Sequence, residues 1–159
     1  MNIYTVSLFG HREIEDLRLL EARLTPIIKE LILSKEYVSF LIGRNGEFDE
    51  YAASIIKTVR KQLGSESSDL TLVLPYYVAD IEYYEKYYDG IIIPEIAYRA
   101  HPKSAITLRN RYMVKESDLV IFHVESGRGG AFTSMKYAKQ IGKKFINLTD
   151  HEQRTKINF

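Results

Sequence analysis

The chain has 159 residues, of which 45% are hydrophobic and 27% are charged, and its formal net charge is +1. These values are typical of a soluble globular protein with one domain, and the near-neutral charge argues against nucleic acid or an anionic membrane as partner. The absence of cysteine excludes disulfides, thiolate catalysis and cysteine-based metal sites. No stretch reaches the roughly 18 apolar residues of a membrane span, and no signal peptide is recognisable, so we expect a cytoplasmic protein.

Short apolar runs alternate with helical patterns along the chain. The runs predict strands at Ile3–Phe9, Tyr37–Ile42, Leu70–Leu74, Ile91–Ile93, Leu119–Val124 and Phe145–Leu148. The helical spacing predicts helices over residues 13–33, 48–63, 81–88, 104–115 and 130–141. Pro26 is expected to kink or split the first of these helices. This alternation predicts an α/β fold, a Rossmann-like three-layer sandwich with a mainly parallel sheet, formed by residues 1–159 as a single domain.

Four unusual loops follow the predicted strands, beginning at Gly10, Gly43, Pro75 and Glu125. In open parallel sheets, ligands bind beyond the carboxyl ends of the strands, near the point where the strand order reverses. We therefore expect these four loops to lie together at one edge of the sheet.

The last of these loops carries three glycines, Gly127, Gly129 and Gly130, directly before a predicted helix. The free N–H groups and the dipole of a helix N-terminus favour an anion, and glycines allow a phosphate to approach the backbone. Arg128 and Thr133 would add a charge and a hydroxyl. The alternative is a tight turn that binds nothing, since the segment is neither a Walker A loop nor a dinucleotide fingerprint.

His11 and Arg12 follow the first strand. Arginine is suited to bidentate contact with phosphate, and the alternative for Arg12 is a surface ion pair with Glu13 or Glu15. For His11, a hydrogen-bonding role is favoured over a catalytic one.

In the loop after the second strand, Gly43 and Gly46 permit a compact turn, and carboxylates stand at the start of the next helix. Capping of that helix is one interpretation of Glu47, Asp49 and Glu50. The other is that one carboxylate binds ribose hydroxyls or stabilises positive charge during glycosidic-bond cleavage.

Two further patterns concern arginines and tyrosines. Arg109 and Arg111 cannot share one helical face, so at most one of them faces the pocket, with Asn110 nearby. Six of the twelve tyrosines lie between residues 76 and 88, a pattern that favours a structural or interface stripe, although Tyr77 offers a ring on which a base could stack.

The histidines give no metal signal. His11, His101, His123 and His151 show no ligand spacing, so no metal is predicted, and no other cofactor is indicated.

The segment from Arg109 to Leu148 resembles the C-terminal half of the DUF1273 (YpsA-like) family of the SLOG (Smf/DprA–LOG) superfamily. It contains Arg-Asn followed by Met-Val, a Ser-Asp before a strand, the glycine segment and a Tyr-Ala pair. Earlier in the chain, "GHREI", "GRNGEFDEYAA" and "LVLPYY" are similar to the family's Gly-x-Arg, Gly-x-x-Gly-x-Asp-x-x-Ala-Ala and Pro-Tyr/Phe motifs. The resemblance covers nearly the whole chain, with its motifs in the same order.

The resemblance implies a Rossmann-like protein that binds nucleotides or nucleotide-derived ligands at the strand-end loops and forms dimers. The LOG enzymes of this superfamily hydrolyse the N-glycosidic bond of nucleoside monophosphates and carry a Pro-Gly-Gly-x-Gly-Thr-x-x-Glu motif. Here Gly129, Gly130 and Thr133 match that motif, whereas Phe132 and Lys136 replace its third glycine and its glutamate.

Three functions follow as hypotheses: a nucleotide-binding or sensing domain, a nucleotide N-glycosidase, and DprA-like binding of single-stranded DNA, which the charge balance disfavours. Asp49 is favoured as a ribose ligand, and Glu47 and Glu125 are the candidate catalytic acids of the glycosidase alternative. The predicted ligand-binding residues are Gly10, His11, Arg12, Gly43, Gly46, Asp49, Tyr77, Arg109, Gly127, Arg128, Gly129, Gly130 and Thr133. The expected partners are a small nucleotide-type ligand and a second copy of the chain.

Overall fold

A parallel sheet of six strands forms the centre of the computed structural model, which describes residues 1–150. The strands are β1 (Ile3–Gly10), β2 (Tyr37–Ile42), β3 (Ser68–Val73), β4 (Gly90–Ile92), β5 (Leu119–His123) and β6 (Phe145–Asn147). Their order in the sheet is β4-β3-β2-β1-β5-β6, and each neighbouring pair is parallel. The predicted fold class is therefore confirmed. His151 lies outside the described residues.

The helices cover both faces of this sheet. They are α1 (Leu17–Ser34), α2 (Glu47–Leu63), α3 (Ile81–Tyr87), α4 (Glu95–Tyr98), α5 (Pro102–Glu116) and α6 (Gly130–Gln140). One hydrophobic cluster joins α1 and α2 to one face of the sheet, and a second joins α5 and α6 to the other face. Alternate side chains of each strand supply the two clusters: in β5, Ile121 belongs to the first and Phe122 to the second. None of the helices within residues 1–150 is long and apolar enough to cross a membrane.

Helix α1 begins at Leu17, four residues after its predicted start, and the predicted alternative of a split at Pro26 is not formed, since the helix continues through that residue. The side chain of Asp16 caps its start by accepting the N–H of Leu19 at 3.0 Å. Ile27 and Ile28, directly after the proline, are buried in the first cluster. Tertiary packing of this apolar face stabilises the helix despite the hydrogen bond that proline cannot donate.

The chain between β3 and α5 was predicted to be irregular apart from one helix and one short strand. It also contains the single-turn helix α4, which begins after Pro94. Four residues are too few for a periodic pattern, so the sequence carried no signal for this element.

The strand order indicates where along the sheet a ligand crevice is expected. β1 lies between β2 and β5, and Gly10 at its end is in register with His123 at the end of β5. The strand order reverses between β1 and β5, and in open α/β sheets this is where the crevice for a ligand opens.

Candidate functional site

A cleft of about 160 Å³ opens at the carboxyl ends of β1 and β2, and we call it the Arg109 cleft. The predicted site residues that line it are Gly10, His11, Arg12, Gly43, Asp49, Arg109, Gly129 and Gly130. They come from segments more than 100 positions apart and are brought together by the β1–β5 pairing. Asn45, which the sequence analysis did not single out, also lines the cleft, as does Asn110.

Arg109 lies at the base of the cleft, and its side chain is buried, with 2% of its surface exposed. Its Nη1 donates to the carbonyl of Val73 at 2.7 Å, and its Nε donates to Oδ1 of Asn110 at 2.8 Å. Burial lowers the pKa of Arg109, against the opposing charge of Asp49. No carboxylate of residues 1–150 lies within 4.0 Å of this guanidinium, so Arg109 forms no direct ion pair there.

Asp49 is the carboxylate whose charge acts on Arg109, and it lies in the first turn of α2. Its Oδ2 accepts the N–H of Asn45 at 2.9 Å. Burial raises the pKa of Asp49 from its ordinary 3.8 to about 6, although the Asn45 hydrogen bond and the charge of Arg109 act in the opposite direction. A Cβ at Gly43 would lie 3.0 Å from Nη1 of Arg109 and 3.1 Å from Oδ2 of Asp49, so any larger residue there would crowd both groups.

The opposite wall of the cleft is the glycine loop (residues 125–129) and the start of α6. His11 holds this loop, because its Nε2 accepts the N–H groups of Glu125 at 3.0 Å and Ser126 at 3.1 Å. A nitrogen that accepts two hydrogen bonds carries no proton, so the neutral ring is protonated on Nδ1. This geometry makes His11 a residue that positions the loop.

Gly129 and Gly130 open the N-terminus of α6 to the cleft. Gly129 has φ +93°, a conformation that favours glycine, and a Cβ there would meet nothing within 4 Å. Oδ1 of Asn110 accepts the Nε–H of Arg109, and Nδ2 of Asn110 lies 3.7 Å from the Cβ position of Gly130. By helix geometry, the first N–H groups of α6 have no acceptor within the helix. Amide donors and a buried cation therefore face the same small space.

Arg12 stands exposed at the rim of the cleft. The expected alternative, an ion pair with Glu13 or Glu15, is not formed within the described part of the chain. Its backbone is fixed by the next loop, since the N–H of Glu47 donates to the Arg12 carbonyl at 2.8 Å. A Cβ at Gly46 would collide with Cα of Arg12, so Gly46 serves this contact between the two loops and does not line the cleft.

Several other predicted residues also lie outside the cleft. The ring of Tyr77 is 77% exposed after β3, and Oγ1 of Thr133 donates to the Gly129 carbonyl at 3.0 Å. Oε2 of Glu47 accepts the N–H of Ile14 at 2.7 Å, which makes this carboxylate a backbone cap in the structure. Gly127 and Arg128 are exposed in the glycine loop.

Glu125 lies in a wider groove of about 710 Å³, which meets the Arg109 cleft at His11, Arg12 and Gly129. Four carboxylates line it, Glu13, Glu15, Asp16 and Glu125, against the two arginines Arg12 and Arg128, and we call it the acidic groove because the carboxylates outnumber the arginines.

His123 also lines the acidic groove. Its sequence position had predicted neither a metal ligand nor any other role in the site. The ring is 7% exposed, and burial lowers its pKa, while Glu125 acts in the opposite direction. Nη1 of Arg23 lies 3.4 Å from its Nε2, so this nitrogen is the acceptor and Nδ1 bears the proton. Nδ1 finds no partner within residues 1–150. In the same range, no three histidine, aspartate or glutamate side chains converge as metal ligands.

The fold can be compared with solved structures. DNA processing protein A (DprA) from Streptococcus pneumoniae superposes with a TM-score of 0.62 and 16% identity, covering 90% of this chain and 49% of that one. DprA from Helicobacter pylori, whose structure is described for its single-stranded DNA binding mode, gives a TM-score of 0.61 and 16% identity, covering 89% and 63%. The chain thus spans about half of the first protein and less than two thirds of the second.

Comparison with protein-family models gives no match, and comparison with curated proteins gives none either. The solved structures therefore show the fold. The chain has the Rossmann-like α/β fold that these DprA structures also have.

Proposed function

We propose that the Arg109 cleft binds a phosphate group of a nucleotide or nucleotide-derived ligand. The observation that carries this proposal is a buried guanidinium without a paired carboxylate, beside the open N-terminus of α6. We also propose that residues 1–159 form one domain and belong to the DUF1273 (YpsA-like) branch of the SLOG superfamily.

The physical reason is charge compensation. A buried cation is costly unless an anion or several hydrogen bonds satisfy it. Arg109 has two neutral hydrogen-bond partners, and the charge of Asp49 acts on it only from beyond 4.0 Å. A phosphate in the cleft would accept from Arg109, from Nδ2 of Asn110 and from the backbone of Gly130, with Arg12 adding a second cation at the rim. Asp49, on the β2 side, is placed to accept a hydrogen bond from a sugar hydroxyl of the same ligand.

The test is to add each nucleotide of a panel and to measure the change in the melting temperature of the protein. A ligand at 100 times its Kd stabilises the folded protein by about 2.7 kcal/mol. Arg109→Met and Arg12→Ala should each weaken nucleotide binding by roughly 1.5–3 kcal/mol, the range for hydrogen bonds to charged groups. Arg18→Met, at an exposed position of α1 away from the cleft, is the matched control. Unchanged affinity in Arg109→Met, measured by calorimetry, would remove the cleft from consideration.

A nucleotide N-glycosidase is the second candidate, favoured by Glu125 in the groove that adjoins the cleft. Cleavage passes through a sugar with oxocarbenium-like charge, and a nearby carboxylate can stabilise it. Chromatographic detection of free base tests this candidate in wild type, Glu125→Gln, Glu47→Gln and Asp49→Asn. Turnover by wild type that is lost in one variant would establish catalysis, and no release from any nucleotide supports binding alone.

Single-stranded DNA binding is the third candidate, and the fold similarity to the DprA proteins favours it. The four carboxylates of the acidic groove oppose a nucleic-acid backbone at this edge. Fluorescence anisotropy with a labelled oligonucleotide, measured at low and at higher salt, tests this candidate, because phosphate contacts make DNA binding strongly salt-dependent. We expect no salt-dependent binding.

We also propose that the chain forms a homodimer through the tyrosine face around α3. This helix has no buried residue, and Tyr83 and Tyr77 are 66% and 77% exposed. Light scattering at micromolar concentration should report a dimer, and Tyr83→Glu should shift it toward monomer, because burying a charge opposes association. A monomer in the wild type contradicts the proposal.

A further inference from the structure

The Arg109 cleft continues into a second groove between α5 and α6. This groove has a volume of about 280 Å³ and shares Ile106, Asn110 and Gly130 with the cleft. Because Asn110 and Gly130 are the proposed phosphate donors, a ligand held by them has direct access to this second space.

The groove has a different charge from the rest of the site. Arg111 and Lys136 line it, and of the described residues that line it none is acidic, so we call it the basic groove. Cζ of Arg111 lies 5.1 Å from the ring centroid of Tyr137, and Nζ of Lys136 lies 5.7 Å from that of Phe132. Neither cation is paired with a carboxylate within residues 1–150.

The direction of the side chains supports a shared ligand. Side chains of an α-helix point toward its N-terminus, so Lys136 is directed toward the first turn of α6, where its Nζ lies near the ring of Phe132. The acidic groove lies beyond His11, Arg12 and Gly129. One outlet of the cleft is therefore cationic, and the other is rich in carboxylates.

We propose that the basic groove is a second anion subsite, and that the ligand is a nucleotide with more than one phosphate, such as a nucleoside diphosphate, nucleoside triphosphate or dinucleotide. Its phosphates run from Arg109 toward Lys136, and its sugar hydroxyls face Asp49 on the β2 side of the cleft. This inference rests on the proposed function, because it needs the first phosphate in the Arg109 cleft.

Inorganic phosphate and tripolyphosphate are the probes, since they test the subsite without a base or sugar. Calorimetry at a constant ionic strength of about 0.15 M limits long-range attraction between exposed charges. We expect wild type to bind tripolyphosphate at least about 10-fold more tightly than phosphate, because charge-assisted contacts to the extra phosphates are added. In Lys136→Met and Arg111→Met, this ratio of affinities should fall roughly 3- to 10-fold.

Lys139→Met is the matched control, because it removes the same charge from an exposed position of the same helix outside the groove. Its ratio should equal that of wild type. If the ratio of affinities falls as much in Lys139→Met as in Lys136→Met, the cause is general charge attraction and the subsite proposal is overturned. Wild type that binds both probes with equal affinity would also overturn it. Wild type that binds neither probe would reject the phosphate cleft itself, and with it this inference.

Discussion

The two loops that bound the Arg109 cleft are held in different ways. The β2–α2 loop (residues 43–46) is fixed by the Asp49–Asn45 hydrogen bond and by its contact with the backbone of Arg12. The glycine loop is exposed throughout, and its N–H groups at 125 and 126 are held by the single side chain of His11.

This difference shows that glycine serves two purposes at one site. In the β2–α2 loop, Gly46 allows two segments of backbone to touch, whereas Gly129 in the glycine loop, which lines the cleft, has nothing within 4 Å of its Cβ position. One wall of the cleft is preorganised by packing, and the other leaves open space for a ligand. Preorganised groups lose little entropy on binding, so we expect the first wall to fix the position of the acceptor Asp49.

Exchange of glycine for alanine in each loop should give the largest contrast. Gly46→Ala places a Cβ against Cα of Arg12, a collision that no side-chain rotation relieves, and should lower the free energy of unfolding by about 3 kcal/mol. Gly127→Ala should stay within about 0.5 kcal/mol of wild type. Urea unfolding of both variants measures the difference, and equal losses would contradict the comparison.

Asp49→Asn should reveal how much the ionised carboxylate of Asp49 lowers the free energy of unfolding. The pKa of Asp49 in the folded protein, about 6, lies above its ordinary 3.8, so folding favours the protonated carboxyl. The stability it contributes is complete below pH about 4 and is lost as the pH rises through about 6.

A shift of this size corresponds to about 3 kcal/mol at 1.36 kcal/mol per pH unit, and we expect about 2 kcal/mol for a partly buried group. At pH about 8, Asp49→Asn should therefore be more stable than wild type by this amount, with the gain vanishing near pH 4. Urea unfolding across this range measures it. Glu30→Gln, at an exposed carboxylate of α1, is the control, and a gain independent of pH would refute the assignment.

The smallest expected change in stability comes from replacing His11, which holds the glycine loop. His11→Leu removes the acceptor of two N–H groups, worth about 1–2 kcal/mol together, and should speed hydrogen exchange at Glu125 and Ser126. Gln places an oxygen near the position of Nε2, so His11→Gln should recover part of the protection, whereas Asn is too short. Equal exchange in His11→Leu and wild type would show that the loop is held by other means.

The sequence was sufficient for the sheet because buried parallel strands are continuous apolar runs, which periodicity detects. It was also sufficient to gather the strand-end loops at one edge, since that follows from parallel topology. The roles within the site were harder. Glu47 and Asp49 are two residues apart in the same acidic turn, yet one caps the N–H of Ile14 and the other lines the cleft.

What separates these residues is tertiary contact, which no local pattern encodes. The same holds for Gly46, whose requirement for glycine comes from the backbone of Arg12, and for the buried state of Arg109, which depends on the Val73 carbonyl at the end of β3. His123 gave no readable signal, because a lone histidine at a strand end is compatible with many environments.

The β1–β5 register has a consequence for the order of folding. Strands β1 and β2 can pair early, because about 30 residues separate them, whereas Gly10 and His123 are 113 positions apart in the chain and close a much larger loop. Contacts of such high contact order form slowly. During synthesis the segment from β1 to α3 can therefore assemble while the glycine loop is still inside the ribosome, so the cleft is completed only when the late strand docks.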